Sequence, residues 1–369
     1  MPFATIPEVL RALKERRMVV LVDDEHRENE GDLVMAAEFA DAPAVAFMAT
    51  KGCGLICLAM DGASVDRLGL PLMSRDNRSR LGTAFTVSIE AREGVTTGIS
   101  AADRARTIQV AIDPTAGPQD LVTPGHVFPL RARDGGVLVR PGHSEASVDL
   151  CRLAGLRPAS VICEIMRPDG EMARLPDLET YCAEHGLLLA TIADVIAWRE
   201  QTETSVALAA EADVPTAAGL FKGYLYRNTL TGEHHLALVS HPQLGPGKGT
   251  DEPVLVRVQK EHLLGDVFGL SGTRLPLDGL HQLAKSGGVF LYMRDNRSLP
   301  EHLVALGGRD HRPGVIPDLP MDPRDYGVGA QILRHLGVRS MRLITGSDRH
   351  LSALSGYGLK VVERVVPAV

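Results

Sequence analysis

Residues 18–32, MVVLVDDEHRENEGD, constrain this chain more than any other stretch. Met18, Val19, Val20, Leu21 and Val22 make an uninterrupted apolar run of strand length, the pattern of a strand buried on both faces of a layered α/β fold. Asp23, Asp24, Glu25, Glu28, Glu30 and Asp32 follow within ten residues, offset by Arg27 and by whatever charge His26 carries. Like charge at that density repels itself, and a fold keeps it only where solvent or a cation neutralises it. A solvated acidic turn is one reading. Against it, the run sits at the end of a buried strand, where α/β proteins place their sites, and Gly31 permits close backbone approach among the acids. Hard divalent cations such as Mg²⁺ take one or two carboxylates and keep positions open for substrate oxygens. A cation site is therefore the working expectation.

At 369 residues the chain has room for about two domains. The net charge of -7 speaks against nucleic acid and membrane surfaces as general partners. No apolar run approaches the ~18 residues of a membrane span. MPFATIPEVLRALKERR lacks a signal-peptide core and reads as a helix with Ile6, Val9, Leu10 and Leu13 on one face, so a cytoplasmic protein is expected. The five cysteines, Cys53, Cys57, Cys151, Cys163 and Cys182, are odd in number and irregularly spaced, and read as small hydrophobes rather than a disulfide framework.

Beyond the acidic stretch, residues 40–51 read as a helix with Val45, Met48 and Ala49 inward, then GLICLAM as a strand. Residues 74–83 are a polar loop, and AFTVSIE alternates as a strand. Thr96, Thr97 and Gly98 precede an S-x-x-D helix start at Ser100 and Asp103. Hydroxyls and a glycine ahead of a helix N-terminus suit a phosphate, though every helix needs a cap. Two P-G-H triplets follow, at residues 124–126 and 141–143. Proline and glycine fix the backbone before His126 and His143. His143, beside Arg140, opens a helix with Val148, Leu150, Cys151 and Leu153 on its apolar face, ending at Gly155. A histidine at a helix N-terminus can meet a metal while free amides receive phosphate. Glu164 ends the apolar run Ser160–Cys163, again a charge at the end of a buried strand.

The segments DDEHRENEGD, EGVTTGISAADR, PGHVFPLRA, RPGHSEASVDL and ICE resemble 3,4-dihydroxy-2-butanone 4-phosphate synthase, over residues 5 to 200. That resemblance implies conversion of D-ribulose 5-phosphate to formate and a four-carbon phosphate in riboflavin biosynthesis. It implies a divalent metal, Mg²⁺ or Mn²⁺, on Glu28 and His143. It places substrate on Arg27, Glu28, Asp32, Glu164 and the run Arg140, Pro141, Gly142, His143 and Ser144, and makes His126 and Glu164 the pair essential for catalysis. It also implies a homodimer with shared active sites. Ser144 and Cys53 stand where threonine and serine are common in the family, and both keep a small side chain.

Residues 201–218, rich in Ala, Thr and Glu, read as a linker between a first domain (1–200) and a second (219–369). The second carries strands at GLFKGYLYR, HHLALVSH, PVLVRVQ, GVFLYM and SMRLIT, with helices near 275–286, 299–306 and 326–336. The expected fold class is a two-domain α/β (α+β) protein. The phrases VLVRVQKEHLLGDVFG and LPMDPRDYGVGAQILRHLGV make this half similar to GTP cyclohydrolase II. His262, Gly272 and Arg274 stand at that family's three zinc cysteines, and glycine and arginine cannot ligate. Met293 to Ser298 and Gly346 to His350 replace two of its substrate stretches, whereas Arg324, matching its nucleophilic arginine, survives. The expectation is a catalytically inactive second half without zinc. The competing readings are a bifunctional enzyme, a regulatory nucleotide-binding second half, and a wholly regulatory pseudoenzyme. The intact Glu28, His126, His143 and Glu164 set argues against the last.

Overall fold

A computed structural model describes residues 3–24, 27–74, 76–78, 81–261, 266, 276–295, 323–345 and 358–365. Glu25 and His26, the helix expected near 299–306, the positions His262, Gly272 and Arg274, and the stretches 296–298 and 346–350 lie outside the described residues, as does the side chain of Arg324. The chain divides into two compact units, Met1–Arg199 and Glu200–Val369.

In the first unit the helices are α1 Ile6–Lys14, α2 Ala42–Phe47, α3 Gly62–Arg67, α4 Ala101–Ala111, α5 His143–Leu153, α6 Leu175–His185 and α7, which starts at Ile192. The strands are β1 Val19–Val22, β2 Gly31–Ala36, β3 Cys57–Met60, β4 Ile89–Ala91, β5 Leu121–Arg131, β6 Ala159–Glu164 and β7 Leu188–Thr191. They form one mixed sheet in the order β4-β5-β3-β6-β2-β1-β7. Val19, Val20 and Leu21 are fully buried, as the apolar run requires. Alternation then sorts them into two cores. Val20 and Val22 join Val45, Ile108 and Leu178 under α2, α4 and α6, whereas Val19 and Leu21 join Val9, Leu13, Val148, Leu150 and Val195 under α1, α5 and α7.

Local signals explain most boundaries. The Glu8 carboxylate accepts the Thr5 amide at 2.8 Å at the start of α1, and Asp41 accepts the Ala44 amide at 2.9 Å at the start of α2. The helix expected over 40–51 changes at Met48 to a π-turn ending in Gly52, with Cys53 left-handed at φ 66°. The AFTVSIE strand is broken. Phe85 pairs with Leu130 and Thr86 with Leu72, and only Ile89–Ala91 forms a strand proper. Cys57, Cys151, Cys163 and Cys182 are buried and all five cysteines are free.

The second unit holds β8 Val206–Thr216, β9 Gly219–Asn228, β10 His234–Val239, β11 Val254–Lys260, α8 Pro276–Ser286, β12 Gly288–Met293, α9 Pro323–His335, β13 Ser340–Ile344 and β14 Lys360–Val365. Their order is β14-β13-β11-β12-β10-β9-β8. One face is covered by Ile332 and Leu333 of α9, the other by Leu280 and Leu283 of α8. The segment expected as a linker is largely strand. Residues 206–216 pair antiparallel with β9 from Val206↔Asn228 to Thr216↔Gly219. As an edge strand exposed along most of its length, it has no buried face to impose alternation, so its sequence carries little strand signal. No helix among the described residues is long and apolar enough to cross a membrane.

Candidate active site

The acidic stretch leaves β1 and returns as β2, which pairs antiparallel with it from Val22↔Gly31 to Val19↔Val34. The connecting loop is tied down by its own charges. Asp23 accepts the amides of Glu28 (3.1 Å) and Glu30 (3.0 Å). The Arg27 guanidinium reaches Asp23 at 2.8 Å and Glu28 at 2.6 Å. Arg174, just before α6, donates to the Glu28 carbonyl at 2.9 Å and also to that of Asn29. Gly31 is needed for packing rather than for approach among the acids, because a Cβ there would lie 2.4 Å from Leu178 Cδ1.

His143, the first residue of α5, comes down over this loop. Its Nδ1 is 3.4 Å from Glu28 Oε2 and its Nε2 3.9 Å from Asp32 Oδ1. The ring is 6% exposed, and its buried Nε2 has no hydrogen-bond partner among the described residues. Ligand atoms of Asp23, Glu28 and His143 all lie within 4.8 Å of one another. Asp23 spends both oxygens on Arg27 and two amides, so its first role is to shape the loop. Burial disfavours the imidazolium, yet Asp32, Glu28 and Asp23 outweigh it and hold the His143 pKa up to about 9. Burial works against the Glu28 anion too, but His143 and Arg27 bring its carboxyl below the usual range. Asp32 is pushed the other way. Burial, then the charges of Glu164, Glu28 and Glu30, raise it to about 7 against the pull of His143.

Sheet register sets the remaining carboxylate and the second histidine. Asp32 pairs with Glu164 across β2 and β6. Glu164 Oε2 accepts the Leu55 amide at 2.8 Å, and Gly54 leaves room for it, since a Cβ there would fall 2.6 Å from that oxygen. Cys57 of β3 pairs with Ile162 on one side and Phe128 on the other. Glu164 and His126 each lie two residues from those partners, at the same end of β3 and on the face that carries α5. Two strand spacings, about 10 Å, separate them. The structure thus groups Glu28, Asp32, His143 and Glu164, and sets His126 one strand beyond β3. His126 Nδ1 meets Glu90 Oε2 at 2.7 Å.

Arg140 is committed elsewhere. Its guanidinium binds Glu145 at 2.5 Å, the Leu81 carbonyl and Thr83 Oγ1 at 3.2 Å, and anchors the 81–83 loop to the start of α5. Pro141 and Gly142 form the turn into that helix, Gly142 is its N-cap, and Ser144 is buried. The amides of Thr96 and Gly98 are likewise taken, at 3.1 and 2.9 Å, by Asp103. Asp23, Glu90 and Arg174 were not singled out from the sequence. Asp23 lay in plain view within the acidic run, whereas Glu90 and Arg174 meet their partners only through the fold.

The first unit is thus a three-layer α/β unit with a carboxylate-rich, histidine-bearing site at one end of its sheet. The profile of 3,4-dihydroxy-2-butanone 4-phosphate synthase matches residues 7–198, and that of GTP cyclohydrolase II residues 207–366. A riboflavin biosynthesis protein RibBA of Salinispora arenicola is 50% identical over 98% of this chain and 88% of its own length. A "Monofunctional riboflavin biosynthesis protein RIBA 2, chloroplastic" of Arabidopsis thaliana is 45% identical over 98% and 77%. Among solved structures, RibBX of A. baumannii, described as a two-domain 3,4-dihydroxy-2-butanone 4-phosphate synthase, is 39% identical with a TM-score of 0.78 over 99% of this chain and 100% of that one. A synthase in complex with two magnesium ions is 43% identical with a TM-score of 0.53, over 54% of this chain and 98% of its own. This chain belongs to the 3,4-dihydroxy-2-butanone 4-phosphate synthase family, fused to a GTP cyclohydrolase II domain. It is an enzyme of riboflavin biosynthesis, a lyase.

Proposed function

We propose that the first unit converts D-ribulose 5-phosphate to L-3,4-dihydroxy-2-butanone 4-phosphate and formate, with Mg²⁺ or Mn²⁺ held by Glu28 and His143. One observation carries this. The buried His143 ring turns Nδ1 to Glu28 at 3.4 Å and an Nε2 without a hydrogen-bond partner among the described residues toward Asp32 at 3.9 Å, and Asp23, Glu28 and His143 bring ligand atoms within 4.8 Å of one another, a donor set of one imidazole and several carboxylate oxygens that suits a hard divalent ion. A cation among these carboxylates would stand in for the proton they otherwise hold on His143. Bound there, the ion would polarise adjacent substrate oxygens and lower the cost of an enediolate.

The chain's own residues supply the rest. Asp32, whose carboxyl is pushed up by burial and by Glu164, Glu28 and Glu30, stands beside the proposed ligands Glu28 and His143, where it can exchange a proton with substrate. Glu164, across the β2–β6 ladder from Asp32, is a second proton carrier held by the Leu55 amide. Arg27 and the turn Arg140–Ser144 frame the substrate, with the first amides of α5 available to phosphate. His126, on the far side of β3, would act on the same substrate. A homodimer with shared active sites belongs to this proposal on the family resemblance, and with a net charge of -7 no nucleic acid or membrane partner is expected. Glu28→Gln and His143→Ala should each cut formate release from ribulose 5-phosphate more than ~10-fold with the fold intact, as loss of a metal ligand must exceed the ~10–100-fold of an outer-shell loss. Retention of more than about a tenth of wild-type turnover would count against ligation by that residue.

The second unit, on this proposal, neither binds zinc nor opens GTP. His262, Gly272 and Arg274 offer a single ligating side chain where a tetrahedral site needs more. The A. baumannii relative, named a two-domain 3,4-dihydroxy-2-butanone 4-phosphate synthase, is consistent with a second domain beside a single named activity. About one zinc per chain with formate release from GTP would refute it, and would favour a bifunctional enzyme.

A further inference from the structure

We infer that Glu90 is a positioning residue for His126, fixing the ring so that Nδ1 carries its proton toward Glu90 and Nε2 is left for proton exchange. The inference rests on the reading of His126 as a proton-transfer group.

His126 Nδ1 lies 2.7 Å from Glu90 Oε2, with the side chains 42% and 13% exposed. The carboxylate is thus largely enclosed while the imidazole reaches open space, the arrangement in which an acceptor selects one tautomer and one ring orientation. Three features hold it. First, β4 and β5 must approach unusually closely at this point. A Cβ on Gly125 would fall 2.1 Å from the Ile89 carbonyl oxygen, and the Gly125 amide donates to Ser88 Oγ at 3.1 Å. The glycine of the first P-G-H triplet therefore lets β5 lie against β4, and the residue after it, His126, falls in the irregularity between the Ile89↔Val127 and Glu90↔Val122 pairs, from which its ring reaches Glu90. Second, the 96–98 turn closes over the carboxylate. Gly98 has φ +87°, and a Cβ there would lie 2.0 Å from Glu90 Oε1. Third, that turn is itself clamped. Asp103 accepts the Thr96 amide, the Thr96 hydroxyl (2.7 Å) and the Gly98 amide (2.9 Å), while its own amide is capped by Ser100.

In the T-T-G-x-S-x-x-D stretch, whose hydroxyls and glycine suit a phosphate, the Thr96 donors and the Gly98 amide go to Asp103, and Gly98 is presented to Glu90. The chain runs Asp103, the 96–98 turn, Glu90, His126. Such a chain restricts a side chain that, at 42% exposure, has little packing to hold it. In this arrangement Nδ1–H is donated to the carboxylate, and Nε2 accepts a proton in one step and returns it in the other. Glutamine at position 90 keeps the shape but can present its amide N–H to Nδ1, which selects the opposite tautomer.

The test uses the full chain, with Glu90→Gln, Glu90→Asp, His126→Ala and the double variant Glu90→Gln/His126→Ala assayed for formate release. Expected are a kcat for Glu90→Gln lowered about 10–100-fold with KM within about threefold of wild type, partial recovery in Glu90→Asp, and less than a threefold further change when Glu90→Gln is added to His126→Ala. In the unaltered protein, nitrogen NMR of His126 should show the neutral ring protonated at Nδ1, a readout that needs no variant to fold. Wild-type kcat in Glu90→Gln, an equal loss with and without His126, or a neutral ring protonated at Nε2 would each overturn the inference. If His126→Ala itself keeps wild-type turnover, the reading of His126 fails instead, whereas the NMR result still decides whether Glu90 orders the ring.

Discussion

Replacing Arg199 by methionine strips the counter-charge from a carboxylate that has almost no solvent. Asp149 and Arg199 are 1% and 2% exposed. Asp149 Oδ2 receives Arg199 Nη1 at 2.6 Å and the Val137 amide at 2.8 Å, and Oδ1 receives Arg152 Nη2 at 2.7 Å. Breaking a buried pair by removing one partner costs about 3–5 kcal/mol. Arg152 remains as a second cation, so the lower end, about 3 kcal/mol, is expected. For a unit of this size each kcal/mol moves the unfolding midpoint by about 2–4 °C, giving a drop of roughly 6–12 °C. The sign of the pH dependence follows from Asp149. Burial already raises its carboxyl, with Arg199 the foremost of the groups pulling it back. Without Arg199 it rises further, and a carboxyl raised in the folded state binds its proton more tightly there than in the unfolded chain. The variant's deficit is therefore largest at pH values above the folded pKa and shrinks as the pH falls through it. Calorimetry of the full chain between pH 5 and 8 reads both quantities. A drop below about 2 °C, or one that does not vary with pH, would refute the reasoning, as would an Asp149→Asn/Arg199→Met pair no more stable than Arg199→Met alone. The site should feel the change as well. Asp149 holds the 135–137 turn, where Gly136 at φ +64° would place a Cβ 2.1 Å from Asp149 Oδ2, and that turn leads into Arg140–His143.

Gly54→Ala should reduce formate release at least ~10-fold, because the added Cβ would sit 2.5 Å from the Glu164 carbonyl and 2.6 Å from its Oε2, and backbone cannot swing aside; a steady-state assay showing wild-type kcat would place Glu164 outside the reaction. A chain ending at Thr202, the last residue of α7, should fold and keep formate release, since the first unit carries its own two cores. A folded but inactive product would mean that the second unit contributes to the reaction.

The sequence made the buried elements readable because burial writes period into them. β1 shows four consecutive apolar residues since helices cover both its faces, and α1 shows Ile6, Val9 and Leu13 inward since it covers one. β8 shows nothing comparable, because its register is set by hydrogen bonds to β9, and backbone pairing leaves no trace in side-chain identity. The site divides in the same way. Glu28, Asp32 and His143 were visible because charge at that density, and a histidine beside proline and glycine, need a physical reason. Glu90 was invisible because a glutamate at the end of an alternating strand needs none. Its distinction comes from position, one strand away from His126 across a gap that only glycine at 125 permits. Arg140 marks the opposite limit. The family resemblance places it at the substrate, and what the sequence does not show is that Glu145, Leu81 and Thr83 hold its guanidinium, so that it anchors the turn it belongs to. Residue type announces what a side chain could do. Which of its hydrogen-bonding atoms remain free to do it depends on neighbours brought together by the sheet, and in the 96–98 turn the same test takes Thr96 and the Gly98 amide, which Asp103 accepts.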